Sequence, residues 1–203
     1  AGEVARDLSS CKVEKASVSA ADLMEAFKQL DVNDVVTAFV EGWALGAYQF
    51  TKYKPSAKLF ETTLEVTENE DVQEAVVAGK IRAEAMAFSR DLMNEVSNVL
   101  NPETYPRVLT EKFSGTGVEV NILNQEKLEE LEMNGVLTVG RGSKYAPSFV
   151  ELVYKGDTSK PLVALVGKGV TFDTGGISLK SGKDLSDMRM DMGGSAAVAG
   201  AML

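Results

Sequence analysis

Residues 162–194 read LVALVGKGVTFDTGGISLKSGKDLSDMRMDMGG, and this stretch decides both the architecture and the chemistry of the chain. LVALVG, residues 162–167, is an unbroken apolar run. A strand covered on both faces reads this way, whereas a half-buried strand alternates. The run predicts a strand over 161–170 that delivers Lys168 to its carboxyl end, where open α/β sheets place their ligands. Asp173 follows, then Thr174-Gly175-Gly176, a glycine pair permitting a turn that a Cβ would resist. Lys180 lies beyond the turn. Asp191 precedes Gly193-Gly194 and a helix of small residues, which puts its carboxylate near a helix start.

Working upstream, strands are predicted at 13–19, 59–67 (LFETTLEVT), 118–123 and 149–154. Helices are predicted at 20–30, with Ser19 as N-cap and Asp22 favouring the helix dipole, and at 35–50 (VVTAFVEGWALGAYQF). The second is apolar on nearly every side, so Trp43 and Tyr48 belong to a core. TKYKPSAK, residues 51–58, is a polar loop. One long helical pattern over 68–96 carries Val72, Val76, Ile81, Ala85, Phe88 and Leu92 near one stripe. NPETYPRVLTEKF adds a helix with Asn101 as N-cap and Pro102 at its first position, and an acidic helix covers 125–133. Strands alternating with helices give an α/β fold class.

The bulk composition narrows the chemistry further. The 203 residues carry a formal net charge of −9 and no basic run, which argues against a nucleic-acid partner. No apolar run approaches the ~20 residues of a membrane span, and AGEVARDLSS lacks the pattern of a secretory signal. Cys11 is the only cysteine, a lone thiol that fits a reducing cytosol. There is no histidine. Serine–histidine and cysteine–histidine triads within this chain are excluded, as are histidine zinc sites. Any metal must be held by carboxylates, amines or backbone oxygens.

Two lysines and two aspartates around one turn suit that constraint. A carboxylate can bridge two divalent cations roughly 3.5 Å apart. An amine must lose its proton to become a ligand, and adjacent cations favour that loss. A second, charged lysine could polarise a carbonyl and stabilise an oxyanion. A surface loop with ion pairs is the plainer reading of any one of these residues, and core packing is the plainer reading of Met188. The glycine pair lacks the spacing of a P-loop.

VGKGVTFDTGGISLK followed by DMRMDMGGSAA resembles the metal-binding signature of the leucyl aminopeptidases, cytosolic metal-dependent exopeptidases. SRDLMNEVSNVLNPE, VGRGSKYAPSFVELVY and EGWALGAYQFTKYK resemble other segments of that family more loosely. The resemblance implies Lys168, Asp173 and Asp191 as ligands of the tighter metal site, with Asp173 bridging to a second, more exchangeable metal. It implies Lys180 as the lysine contacting the substrate carbonyl, and Met188 as a wall of the substrate pocket. The family's further Asp–Glu pair and arginine, from an NTDAEGR-like motif, match nothing here, and Ser181 and Val96 stand where prolines are usual.

The expectations that follow are these. Residues 1–70 are part of a smaller amino-terminal α/β domain, 71–96 a linking helix, and 97–203 the first part of a larger α/β/α catalytic domain. The function implied is hydrolysis of the amino-terminal residue of peptides, leucine-like by preference, through two divalent ions. Mn2+ or Zn2+ is implied, with Mg2+ or Co2+ possible. A cytoplasmic homo-oligomer, a hexamer by family, goes with it. The alternative is a non-catalytic assembly or regulatory scaffold. The chain reads as a partial one, expected to show weak or no activity by itself and to bind one ion weakly, with apolar surface exposed on its last helix.

Overall fold

A computed structural model describes residues 1–56, 59–67 and 72–203 of the chain. The expected helix start at 68–71 and the end of the TKYKPSAK loop fall outside these residues. The chain divides into two units, Ala1–Ala87 and Phe88–Leu203.

In the first unit, Ser19 closes one strand and opens a helix. The order is α1 (Gly2–Ser10), β1 (Lys15–Ser19), α2 (Ala20–Ala26), α3 (Val32–Ala47), β2 (Thr63–Thr67) and the start of α4 (Gln73–Asn94). Ser19 accepts the Asp22 amide, as the sequence predicts for an N-cap. β1 and β2 pair in parallel, from Lys15↔Thr63 to Ser19↔Thr67. Parallel neighbours need a crossover, and α2 with α3 supplies it. Leu64 and Val66 pack on the core of Ala20, Leu23, Val35, Val36, Val40, Val72 and Ala75. Thr63, Glu65 and Thr67 alternate outward on the same strand.

α2 ends four residues short of its expected limit because Asp31 caps the next helix. Its side chain accepts the Asn33 amide, so α3 begins at Val32, and Phe27 and Leu30 are left exposed in the turn between. Trp43 is buried, and Tyr48 is half-buried at the end of α3. On α4, Ala75, Gly79, Ala83 and Leu92 are buried, as is Val72 just before it, while Ile81 is exposed. Ile81 lies two residues from Gly79, about 200° around the helix, which takes it off the expected stripe.

The second unit holds the rest of α4, then α5 (Tyr105–Phe113), β3 (Val118–Leu123), α6 (Gln125–Glu130), α7 (Asn134–Gly140), β4 (Phe149–Tyr154), α8 (Gly182–Asp187), a 3-10 turn (Met188–Met190) and α9 (Gly193–Met202). β3 and β4 pair antiparallel, from Val118↔Tyr154 to Leu123↔Phe149. Leu92, Leu100, Tyr105, Leu109, Phe113, Met192, Ala196 and Ala199 form its core.

Three expectations are corrected in this unit. Asn101 does not cap α5. Its Oδ1 accepts the Glu103 and Thr104 amides in a turn that precedes the helix, and Pro106, not Pro102, sits in the first turn. Residues 161–170 form no ladder, because β3 and β4 pair only with each other among the described residues. Without neighbours on either side, Leu162, Val163, Leu165 and Val166 are 90%, 79%, 54% and 92% exposed. That stretch carries the exposed apolar surface expected of the last helix, whereas α9 buries Ala196, Ala199 and Gly200.

Candidate active site

The segment that ends at Lys168 is held against the first turn of α9. The Ser195 amide donates to the Lys168 carbonyl at 2.8 Å. The approach is so close that a Cβ on Gly167 would lie 2.4 Å from the Gly194 oxygen. Glycine is required there to let two backbones touch. The contact puts Lys168 beside Asp191, two residues before α9, with Nζ 3.0 Å from Oδ2.

The Asp191 side chain is only 18% exposed, and its Oδ2 is fully buried. That oxygen receives no hydrogen bond, even though the Lys168 ammonium lies within ionic distance. The neighbouring charge lowers the electrostatic cost of burial but leaves a lone pair unmet. A buried carboxylate oxygen whose one partner is an ammonium keeps a lone pair that a metal cation could take.

The Asp173–Lys180 turn makes the other half of the site. Gly175 and Gly176 take φ of +85° and +65°, and the Lys180 amide closes the turn on the Thr174 carbonyl at 3.0 Å. Asp173 Oδ1 accepts the Gly175 amide at 2.8 Å, and Oδ2 pairs with Lys180 Nζ at 2.9 Å. The Lys180 hydrogen bond above all, then the Gly175 amide and the charges of Lys180 and Lys168, hold the Asp173 carboxyl below the usual carboxylate range. Lys180 Nζ also reaches Met188 Sδ at 2.9 Å. Ser181 caps α8 by accepting the Asp184 amide, which carries the chain round to Met188.

The structure thus joins the sequence-predicted residues in two pairs, Lys168 with Asp191 and Asp173 with Lys180, with Met188 on the second. The Lys168 charge acting on Asp173 links the pairs. Among the described residues no three His, Cys, Asp or Glu side chains cluster for a metal. The candidate donors are therefore the Asp173 and Asp191 carboxylates and the Lys168 amine, and the Asp191 oxygen fits a hard divalent cation. Sequence reasoning missed Tyr105 and Ser195. Tyr105 Oη lies 3.1 Å from Ser195 Oγ, which donates to the Met192 carbonyl at 2.7 Å. A lone hydroxyl at the start of an otherwise apolar helix, GGSAA, was the available signal.

Residues 87–203 match the family model described as the cytosol aminopeptidase family, catalytic domain. A probable cytosol aminopeptidase of Rickettsia canadensis is 36% identical over all of this chain and 41% of its own length. One from Corynebacterium diphtheriae is 41% identical over 81% of this chain and 34% of its own. Among solved structures, the bottromycin maturation enzyme BotP in complex with Mn has a TM-score of 0.74 at 33% identity, covering 86% of this chain and 36% of that one. The chain spans about two-fifths of the curated relatives it matches. It belongs to the cytosol aminopeptidase family, and the catalytic-domain match takes in every residue of the site.

Proposed function

We propose that the protein is a metal-dependent aminopeptidase that hydrolyses the amino-terminal residue from peptides, with a leucine-like preference. The observation that carries this reading is the buried Asp191 Oδ2, unmet by any hydrogen bond and facing the Lys168 amine. Lys168, Asp173 and Asp191 would hold the first divalent ion, and Asp173 would bridge to a second. The ions, when bound, supply Lewis acidity toward a peptide carbonyl and toward water.

The remaining work falls to this chain's own groups. Asp173 is kept ionised by Lys180 and the Gly175 amide, so it is available as a ligand without a prior proton loss. Lys180 is 30% exposed at its side chain and anchored on Asp173, which directs an ammonium toward an incoming carbonyl. Such a donor stabilises charge that develops on the oxygen, and binds it more tightly than the ground state. Met188, against Lys180, would form an apolar wall for the substrate's first side chain. The Asp–Glu pair and arginine expected in the family are not matched in this sequence, so a complete centre needs further carboxylates.

The same reading assigns 1–70 to an amino-terminal domain, 71–96 to a linking helix and 97–203 to the catalytic domain. It takes a cytoplasmic homo-oligomer, a hexamer, as the working form, and Mn2+ or Zn2+ as the ions. The Mn-bound BotP structure supports manganese. The test is release of leucine from a leucyl amide, by protein that also supplies the further carboxylates, after exhaustive chelation and again after Mn2+ or Zn2+ is restored. Activity should vanish and return. Full turnover in protein shown by elemental analysis to be metal-free overturns the proposal.

A further inference from the structure

Lys168 and Asp191 come from different parts of the chain, and what sets their separation lies outside both. The Lys168 main chain is tied to α9 through the Ser195 amide at 2.8 Å. Asp191 reaches α9 through Met192, whose carbonyl accepts Ser195 Oγ at 2.7 Å. One serine therefore holds both backbones, the first with its amide and the second with its hydroxyl. Its hydroxyl in turn lies 3.1 Å from Tyr105 Oη. Tyr105 is the first residue of α5 and only 7% exposed, fixed in the core with Leu109, Phe113, Met192 and Ala196.

We infer that Tyr105 and Ser195 are positioning residues that set the Lys168 amine against the Asp191 carboxylate. The inference rests on the reading of Lys168 and Asp191 as metal ligands. Three features favour it over simple packing. Tyrosine is placed so that its buried hydroxyl meets a hydroxyl at the head of an apolar helix, where two aliphatic groups would pack without polar cost. Ser195 Oγ donates to the Met192 carbonyl and so accepts from Tyr105 Oη, so losing the phenol removes the second contact that fixes the hydroxyl's rotamer. The glycine contact between Gly167 and Gly194 leaves the two backbones no slack, so a small rotation of the first turn of α9 moves Lys168 with it. Groups that orient metal ligands from behind typically change affinity about 10–100-fold when removed.

The experiment compares Tyr105→Phe, Ser195→Ala, the double variant and Ser195→Thr, which keeps the hydroxyl. Two quantities are measured on each folded protein: Mn2+ affinity by isothermal titration, and hydrogen exchange of the Ser195 amide. Each single hydroxyl loss should weaken Mn2+ binding about tenfold and speed exchange at Ser195 several-fold. The double variant should be no worse than Ser195→Ala, because both changes cut one connection. Ser195→Thr should recover most of both. Additive losses, or unchanged exchange at Ser195 alongside a lower melting temperature, overturn the inference. Unmodified protein that binds no Mn2+ even with the further carboxylates supplied sinks the metal reading instead. The exchange data still decide whether Tyr105 governs the Ser195–Lys168 contact.

Discussion

Asp173 holds Lys180 with one carboxylate oxygen, at 2.9 Å, while its other oxygen takes the Gly175 amide at 2.8 Å. Both oxygens are thus engaged by groups within seven residues, so the turn orients the carboxylate before any ligand arrives. A ligand atom held in place loses little freedom on binding, which is the benefit of a preorganised site.

The two ends of this pair should fail differently. Asp173→Asn removes a negative ligand, and under the proposed function both ions depend on it, so activity should fall below detection. Lys180→Ala removes one oxyanion donor and should lower kcat by about 10²–10³. Steady-state kinetics and metal analysis check this. An asparagine variant with two ions and near-normal turnover contradicts the bridging role.

The adjacent glycines offer an internal control on the turn. At Gly176, φ is +65° with open space around a Cβ, so Gly176→Ala should cost only the left-handed penalty, about 1 kcal/mol. At Gly175, φ is +85° and a Cβ would lie 2.3 Å from the Ser178 oxygen. Gly175→Ala should cost at least about 2–3 kcal/mol and disturb the amide that Asp173 accepts. Urea unfolding of the two variants should rank them in this order. Equal costs would mean that the turn yields freely at Gly175.

The exposed run at 162–166 carries a prediction of its own. Leu162 and Val163 are 90% and 79% exposed on a segment outside any strand, and exposed apolar patches favour association between copies. Leu162→Lys with Val163→Lys should lower light scattering and the binding of an apolar dye, without loss of helix content. Scattering that persists unchanged in the double variant places the association surface elsewhere.

How much of this was legible in the sequence depends on how local each feature is. Ser19 as N-cap, β3 and β4 to the residue, and the turn at Gly175-Gly176 all follow from short-range patterns that physics reads directly. The end of α2 was not legible because the Asp31 cap competes with the apolar pattern running to Leu30. NGVLTVG forms α7 despite two glycines and β-branched residues, so its helix does not come from intrinsic propensity. The run at 161–170 fails as a strand because ladder partners are a long-range property, and apolarity alone creates the demand without meeting it. Tyr105 and Ser195, ninety residues apart, were invisible for the same reason.

The last prediction concerns Tyr105 and alkaline pH. Burial, opposed in part by the Ser195 hydrogen bond, raises its phenol above the ordinary value of 10.0. The folded state therefore favours the neutral ring, while the unfolded chain ionises it at the ordinary value. With the folded pKa raised, the contribution is fully present below pH 10 and is lost as pH climbs through the folded pKa. Tyr105→Phe cannot ionise, but it forfeits one hydrogen bond, worth about 1 kcal/mol. At about pH 8 the unmodified protein should be the more stable by roughly that amount. As pH rises above 10 the gap should narrow, since only the tyrosine form must stay neutral in the fold. Denaturant unfolding of both proteins across that range isolates Tyr105, because every other tyrosine and lysine titrates in both. A gap that stays constant with pH would mean that the Tyr105 hydroxyl is solvated and the burial around it is not what restrains it.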